Sequence, residues 1–183
     1  MLTSYRQPWL RLAAALALAL TLAACGSGAS DVPPPPPSAL TANATGHFCT
    51  MNLSEHIGPK GQIHLRDNKE TVWLSDVTQV FAFTLLPEEA KTITAIYVQD
   101  MARADAQGNP PDDAWIDARS AHYVIRSEFV GGMGAPDALP FADLEQARDF
   151  VARHGGEIVT FDTMPEDYVF WPQPQTPAKG PAS

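Results

Sequence analysis

The sequence predicts an α+β fold of two similar ββαβ units packed side by side. Three observations carry that expectation. Short stretches rich in β-branched and aromatic residues recur through the central part of the chain, as strands do. Two longer segments place apolar residues at helical spacing. The order strand, strand, helix, strand occurs once on each side of the loop Gly108-Asn109-Pro110-Pro111.

In the first unit, residues 47–53 read as a strand. The pairs Gly58-Pro59 and Lys60-Gly61 mark a turn into a second strand over residues 62–65. A short strand over 71–74 follows the Asp67-Asn68 turn. Ser75 or Asp76 is placed to N-cap a helix that runs through Leu85 and is limited by Pro87. Residues 92–99 then alternate as a strand. In the second unit, residues 115–117 and 122–127 read as two short strands, and the glycine-rich segment over 131–136 as a loop. Residues 142–154 form a helix whose apolar face is Leu144, Ala147, Phe150 and Val151. Gly155 is placed to end it, with His154 at the favourable end of the helix dipole. Residues 157–163 close the unit as a strand.

The N-terminal segment reads as an address. Arg6 and Arg11 supply a positive region, and residues 12–22 are almost pure Ala and Leu. That run is shorter than the roughly 20 residues a membrane span needs, and fits a secretory signal over residues 1–24. Leu22-Ala23-Ala24-Cys25-Gly26 resembles a bacterial lipobox, in which the cysteine is lipidated and becomes the new N-terminus. Gly26 gives no inner-membrane retention signal, so the expected location is the periplasm, anchored by lipid on Cys25 at the outer membrane. Residues 25–43, with five prolines from Pro33 to Pro37, are expected to be an extended polyproline II tether. Residues 44–171 form the folded domain, in halves of about 44–103 and 112–171, and residues 172–183 a disordered tail.

Removal of the signal leaves ten of the twelve basic residues against twenty-one acidic ones. So acidic a protein does not bind nucleic acid. It suits a cationic cargo or a basic partner, although solubility alone explains acidity equally well. With Cys25 lipidated, Cys49 is the only free thiol in the mature chain. An unpaired thiol in an oxidising compartment needs protection or a task.

Cys49-Thr50-Met51 supplies the task. On a strand, residues two apart share a face, which sets a thiolate beside a thioether. Soft sulfur donors select copper(I), Cu(I), over hard cations, and two or three of them suffice. The thioether binds uncharged at any pH, whereas the thiol must lose its proton, which the metal promotes. Against this stands ordinary packing, since cysteine and methionine are both common core residues.

The motif Cys49-Thr50-Met51, followed by Gly58-Pro59-Lys60-Gly61-Gln62, resembles the C-x-M and GPK-x-Q signature of the NosL family, lipoprotein accessory proteins of nitrous oxide reductase maturation. Gly132-Met133-Gly134, Pro140-Phe141, the helix with Ala147 and Phe150, and Gly155-Gly156 resemble the family's C-terminal block. Thr50 departs from the pattern, because many relatives have glycine there. The resemblance implies a NosL-like fold, one bound copper(I), and no enzymatic activity. It further implies delivery to the copper centres of nitrous oxide reductase, through that enzyme or its membrane-bound assembly complex, by a monomer or a copper-bridged dimer.

Met133 corresponds to a methionine of the family's glycine-rich loop and is the next candidate ligand, its flanking glycines allowing close approach; filling a gap between the halves is the alternative. His56, five residues beyond Met51, can complete a mixed sulfur and nitrogen site or be a solvated loop residue. His47 shares strand parity with Cys49 and Met51, and His122 is a weaker candidate. His64 and His154 read as structural or surface residues, and Met101 and Met164 as packing. Lys60 with Gly58-Pro59 reads as a turn first and a docking surface second. Two rival functions remain open: an enzyme using Cys49 as nucleophile or redox thiol, and a structural lipoprotein with a buried thiol. The first lacks a second cysteine and a recognisable Cys-His-Asp arrangement.

Overall fold

The computed structural model describes residues 33–170; the signal segment, Cys25 and the tail over 172–183 lie outside the described residues. The fold is α+β. Strands β1 (Gly61–Leu65) and β2 (Asn68–Leu74) form a hairpin, helix α1 (Val77–Leu85) follows, and β3 (Ile93–Gln99) returns along the other edge of β1. Strand β4 (Trp115–Asp117) then extends this sheet beside β3, giving the order β2-β1-β3-β4. Strands β5 (His122–Ile125) and β6 (Leu139–Phe141), helix α2 (Leu144–His154) and β7 (Glu157–Thr160) repeat the pattern, with β5 in the middle of the order β6-β5-β7. A short helix α3 (Glu166–Phe170) ends the described chain.

Both units therefore have the ββαβ order and the same strand adjacency, although three details differ from expectation. Residues 47–53 are not a strand. A single bridge between Thr45 and Asn52 closes a tight turn, and a one-turn 3-10 helix over Leu53–Glu55 follows. Residues 115–117 form a strand, but it pairs with β3 rather than opening the second unit. The partner that β5 takes instead is β6, which contains Pro140. Proline cannot donate to a ladder, and it is tolerated here because β6 is an edge strand. The closing strand is also shorter than expected, since Phe161–Thr163 turn into a 3-10 helix.

The core explains why the units cohere. Ile63, Leu74, Ile96 and Val98 of the first sheet pack with Val77, Val80, Phe81 and Phe83 of α1, and with Tyr123 and Ile125 of β5. Val124, between those last two, points the other way into a second cluster with Leu139, Phe141, Ala147 and Met101. The two-residue period of a strand thus buries both faces of β5, one towards α1 and one towards α2.

The N-terminus of α1 is capped from a distance. Asp76 holds the N-cap backbone position but makes no capping hydrogen bond with its side chain. The carboxylate of Asp137, sixty residues on, accepts from the Val77 and Thr78 amides at 3.2 and 2.8 Å and from the Thr78 hydroxyl at 2.8 Å. It also accepts from the Ala138 amide at 2.8 Å. Burial raises the pKa of both carboxylates, and these hydrogen bonds oppose the rise at Asp137. Asp76 is pushed up to about 7, by burial first and by the charge of Asp137 second, against the pull of the Lys60 ammonium.

A carboxyl whose folded pKa exceeds its ordinary 3.8 holds its proton more tightly when folded. That stabilisation is complete below the ordinary value and is lost as pH rises through about 7. Urea unfolding should accordingly find the wild-type chain more stable at about pH 5 than at about pH 8, by a margin that Asp76→Asn reduces. An undiminished margin in the variant would assign the pH dependence to other groups.

Candidate metal centre

Cys49 lies in the turn closed by Thr45 and Asn52. The Gly46 amide donates to Met51 O at 2.9 Å and the Thr50 amide to Gly46 O at 2.7 Å, closing the turn, while the His47 amide ties it to β2 through Trp73 O at 2.7 Å. Thr50 takes a φ of 57°, the left-handed region that a β-branched residue rarely adopts. Strand parity therefore does not relate Cys49 to Met51; a left-handed residue stands between them. The thiol folds back beneath the turn. A Cβ on Gly46 would come within 2.5 Å of Cys49 Sγ, so the absence of a side chain at this position makes room for the sulfur.

The half-buried thiol donates to Ser75 Oγ at 3.5 Å, and its sulfur lies 4.0 Å from His56 Nε2. His56 is only 5% exposed, and its Nδ1 is buried without a hydrogen-bond partner among the described residues. The Lys60 ammonium holds the backbone beneath it, donating to His56 O at 2.6 Å and to Gly58 O at 2.5 Å. Burial lowers the pKa of Lys60, and the nearby carboxylates of Asp137, Asp76 and Asp112 oppose that shift. Lys60 is thus an internal brace for the turn, which agrees with the turn reading of the Gly58-Pro59 segment.

The glycine-rich loop closes over the same histidine. The Gly132 amide donates to Ile57 O at 3.0 Å, and a Cβ on Gly132 would meet His56 Cβ at 2.7 Å and His56 Cα at 2.8 Å. Backbone lies against backbone here, a contact only glycine permits. Met133 follows directly and is 44% exposed, as Met51 is at 45%. Phe48, Ile57 and Val130, from the same two loops, are exposed as well.

The structure thus brings Cys49 and His56 together and lays the Met133 loop on His56. Other histidines are occupied elsewhere. His47 stacks edge-on against Phe48 and Phe83, with Nε2 3.0 Å from Glu89. His122 sits on β5 opposite Phe141 and Thr160. His64 contacts Gln62 and Tyr97, and His154 stacks on Phe150. Met101 is buried in the second cluster and Met164 packs on the first. The sequence assigns Ser75 to a helix cap and Lys60 to a turn, and gives neither a place beside the thiol or His56. The only available sign was a polar pair flanking a turn and a helix start, which surface residues mimic equally well.

Among the described residues, no group of three or more His, Cys, Asp and Glu side chains gathers as metal ligands. Thiolate and imidazole, the two donor types brought together at Cys49 and His56, suit copper or zinc rather than calcium.

A family model described as NosL matches residues 37–169, almost the entire described fold. The chain belongs to the NosL family. It is 40% identical over 134 residues to a protein of Achromobacter cycloclastes named copper-binding lipoprotein NosL, covering 73% of this chain and 69% of that one. A protein of the same name from Stutzerimonas stutzeri is 33% identical over 117 residues, covering 63% and 59% respectively. The fold is similar to the crystal structure of the copper chaperone NosL from Shewanella denitrificans, with a TM-score of 0.68 at 28% identity, over 73% of this chain and 98% of that chain.

Within this NosL fold, the left-handed Thr50 is a measurable strain. An L-residue in that region costs about 1–2 kcal/mol, whereas glycine loses about 0.5–1 kcal/mol of backbone entropy on folding. Thr50 recovers part of its cost by donating its hydroxyl to Cys49 O at 2.7 Å. Thr50→Gly should therefore stabilise the fold slightly, by about 0.5 kcal/mol, as a raised urea midpoint. A destabilised variant would show that the hydroxyl contributes more than the strain costs.

Proposed function

We propose that this chain is a periplasmic copper(I) carrier, lipid-anchored through Cys25 at the outer membrane. In this reading residues 1–24 are its signal, and the domain that begins near residue 44 carries one copper(I) ion as cargo. Cys49 supplies the thiolate and Met51 a thioether, with His56 or Met133 completing the set. The observation that carries the reading is the approach of Cys49 Sγ to His56 Nε2 at 4.0 Å, beneath two loops that each present an exposed methionine. The names borne by the relatives support copper as the cargo.

Delivery needs no catalytic step. A soft ion held by two or three donors in half-exposed loops leaves room for an incoming ligand to attach before the first one leaves. The proposed recipients are the copper centres of nitrous oxide reductase, reached through that enzyme or its membrane-bound assembly complex. The carrier acts as a monomer or as a copper-bridged dimer.

The proximity of Cys49 and His56 also favours a second reading, a thiol enzyme with histidine as base. A catalytic histidine is normally oriented by a third group, yet His56 Nδ1 has no hydrogen-bond partner among the described residues. The missing third group counts against a general base.

Anaerobic copper(I) titration against a competing chelator separates these readings. The intact protein should bind one ion tightly. Loss of supporting residues around a metal typically costs about 10–100-fold in affinity, so loss of the thiolate in Cys49→Ala should cost more than about 100-fold. His56→Ala and Met133→Ala identify the third donor by which of them weakens binding. Unchanged affinity in Cys49→Ala would remove the proposal. Mass spectrometry of the mature protein should find acyl chains on an N-terminal Cys25, and an unmodified N-terminus would remove the anchor.

A further inference from the structure

The proline segment is not free where the structure describes it. The outer face of the first sheet carries Gln62 and His64 of β1, Thr71 and Trp73 of β2, Tyr97 of β3 and Trp115 of β4, as strand register requires. Onto this face the chain before residue 39 is bound by its own backbone. The Tyr97 hydroxyl donates to Pro35 O at 2.7 Å. The Ser38 amide donates to Gln62 Oε1 at 2.7 Å, and Gln62 Nε2 donates back to Ser38 O at 3.2 Å. The Ser38 and Thr71 hydroxyls lie 2.6 Å apart.

These contacts fall on Pro35 and Ser38, three residues apart, which is one turn of polyproline II and so one side of that helix. Gln62 is completely buried and its amide is held by the strap, while His64 Nε2 lies 2.9 Å from the same Gln62 oxygen. A buried amide in a sheet without such partners costs about 1–3 kcal/mol. The Trp73 and Trp115 rings lie beside one another at 6.0 Å on the same face. An aromatic face with a tyrosine hydroxyl aimed at a proline carbonyl is the chemistry by which proline-rich peptides are recognised, aided by their pre-organised backbone. The five prolines run from 33 to 37, almost wholly ahead of the stretch that matches the family model.

We propose that the outer face of the β2-β1-β3-β4 sheet is a polyproline-binding surface whose ligand is the chain's own segment over residues 34–38. The consequence for reach rests on the lipid anchor at Cys25. A tether ending at residue 44 spans at most about 65 Å, whereas one clamped at Pro35 spans at most about 35 Å. Docking therefore holds the copper-bearing loops to partners close to the membrane surface, and the prolines act as a clamp rather than a spacer.

Amide hydrogen exchange of the full chain tests the docking directly. Ser38 should exchange at least about 10-fold more slowly than in an unstructured chain. Tyr97→Phe combined with replacement of the five prolines by glycine and serine should abolish that protection and leave β5 amides unchanged. Exchange of Ser38 at the unstructured rate in the wild-type chain overturns the proposal. Energy transfer from the protein's tryptophans to a dye on lipid headgroups, with the lipidated chain on phosphatidylethanolamine and phosphatidylglycerol vesicles, tests the reach. Transfer should fall in the undocked variant, and equal transfer in both chains overturns the shortened tether. A chain that does not float with the vesicles overturns the anchor reading and the reach together, while the exchange result still decides the docking.

Discussion

The carboxylate of Asp137 occupies the N-terminus of a helix that belongs to the other half of the chain, where it accepts from two helix amides and the Thr78 hydroxyl. Helix starts leave unpaired N–H groups and a partial positive charge, and a buried carboxylate answers both. Asp137 also ends the segment that bridges Val130 to Pro136. Seating it therefore seats the glycine-rich loop, and Gly132 comes to lie against His56. The position of Met133 rests on this contact between halves together with the loop's own Gly131–Ala135 and Gly134–Gly131 backbone hydrogen bonds.

A buried ionic group underlies the candidate centre. Lys60, Asp76 and Asp137 are all buried, and each shifts the pKa of at least one of the others. Charges taken out of water are tolerable only when paired and hydrogen-bonded. Lys60 meets that condition by donating to two carbonyls, one of them that of His56. The same contacts that satisfy the ammonium hold the histidine backbone in place. Hard charge is confined beneath the turn with the half-buried thiol above it, while Met51 and Met133 stay at the surface among exposed apolar side chains.

Two segments that connect elements in sequence thus turn out to be held by side chains far from them. The turn with Cys49 rests on Ser75 at the start of α1, and the proline segment rests on Gln62, Thr71 and Tyr97 across three strands. In each case a polar residue at an unexpected buried position is the anchor. The segment with Pro35 and Ser38 is clamped to a sheet face, and the loops with Cys49 and Met133 are clamped to one another through Gly132 and His56.

Periodicity and turn residues alone determined the α+β class and the two main helices, because the hydrophobic effect acts on spacing that can be read along one dimension. The soft-donor character of Cys49, Met51 and Met133 is likewise intrinsic to the side chains. Tertiary structure decided the rest. Residues 47–53 alternate as a strand does, yet after the His47 amide bonds Trp73 O on the edge strand β2 the segment turns back on itself. Pro140 hid a strand, since only the sheet order reveals that β6 is an edge. His47 and His56 look alike in sequence, but Glu89 draws one away while Lys60 and Gly132 hold the other at the thiol. Which side chains meet depends on contacts between residues distant in the chain, and local pattern carries no record of those partners.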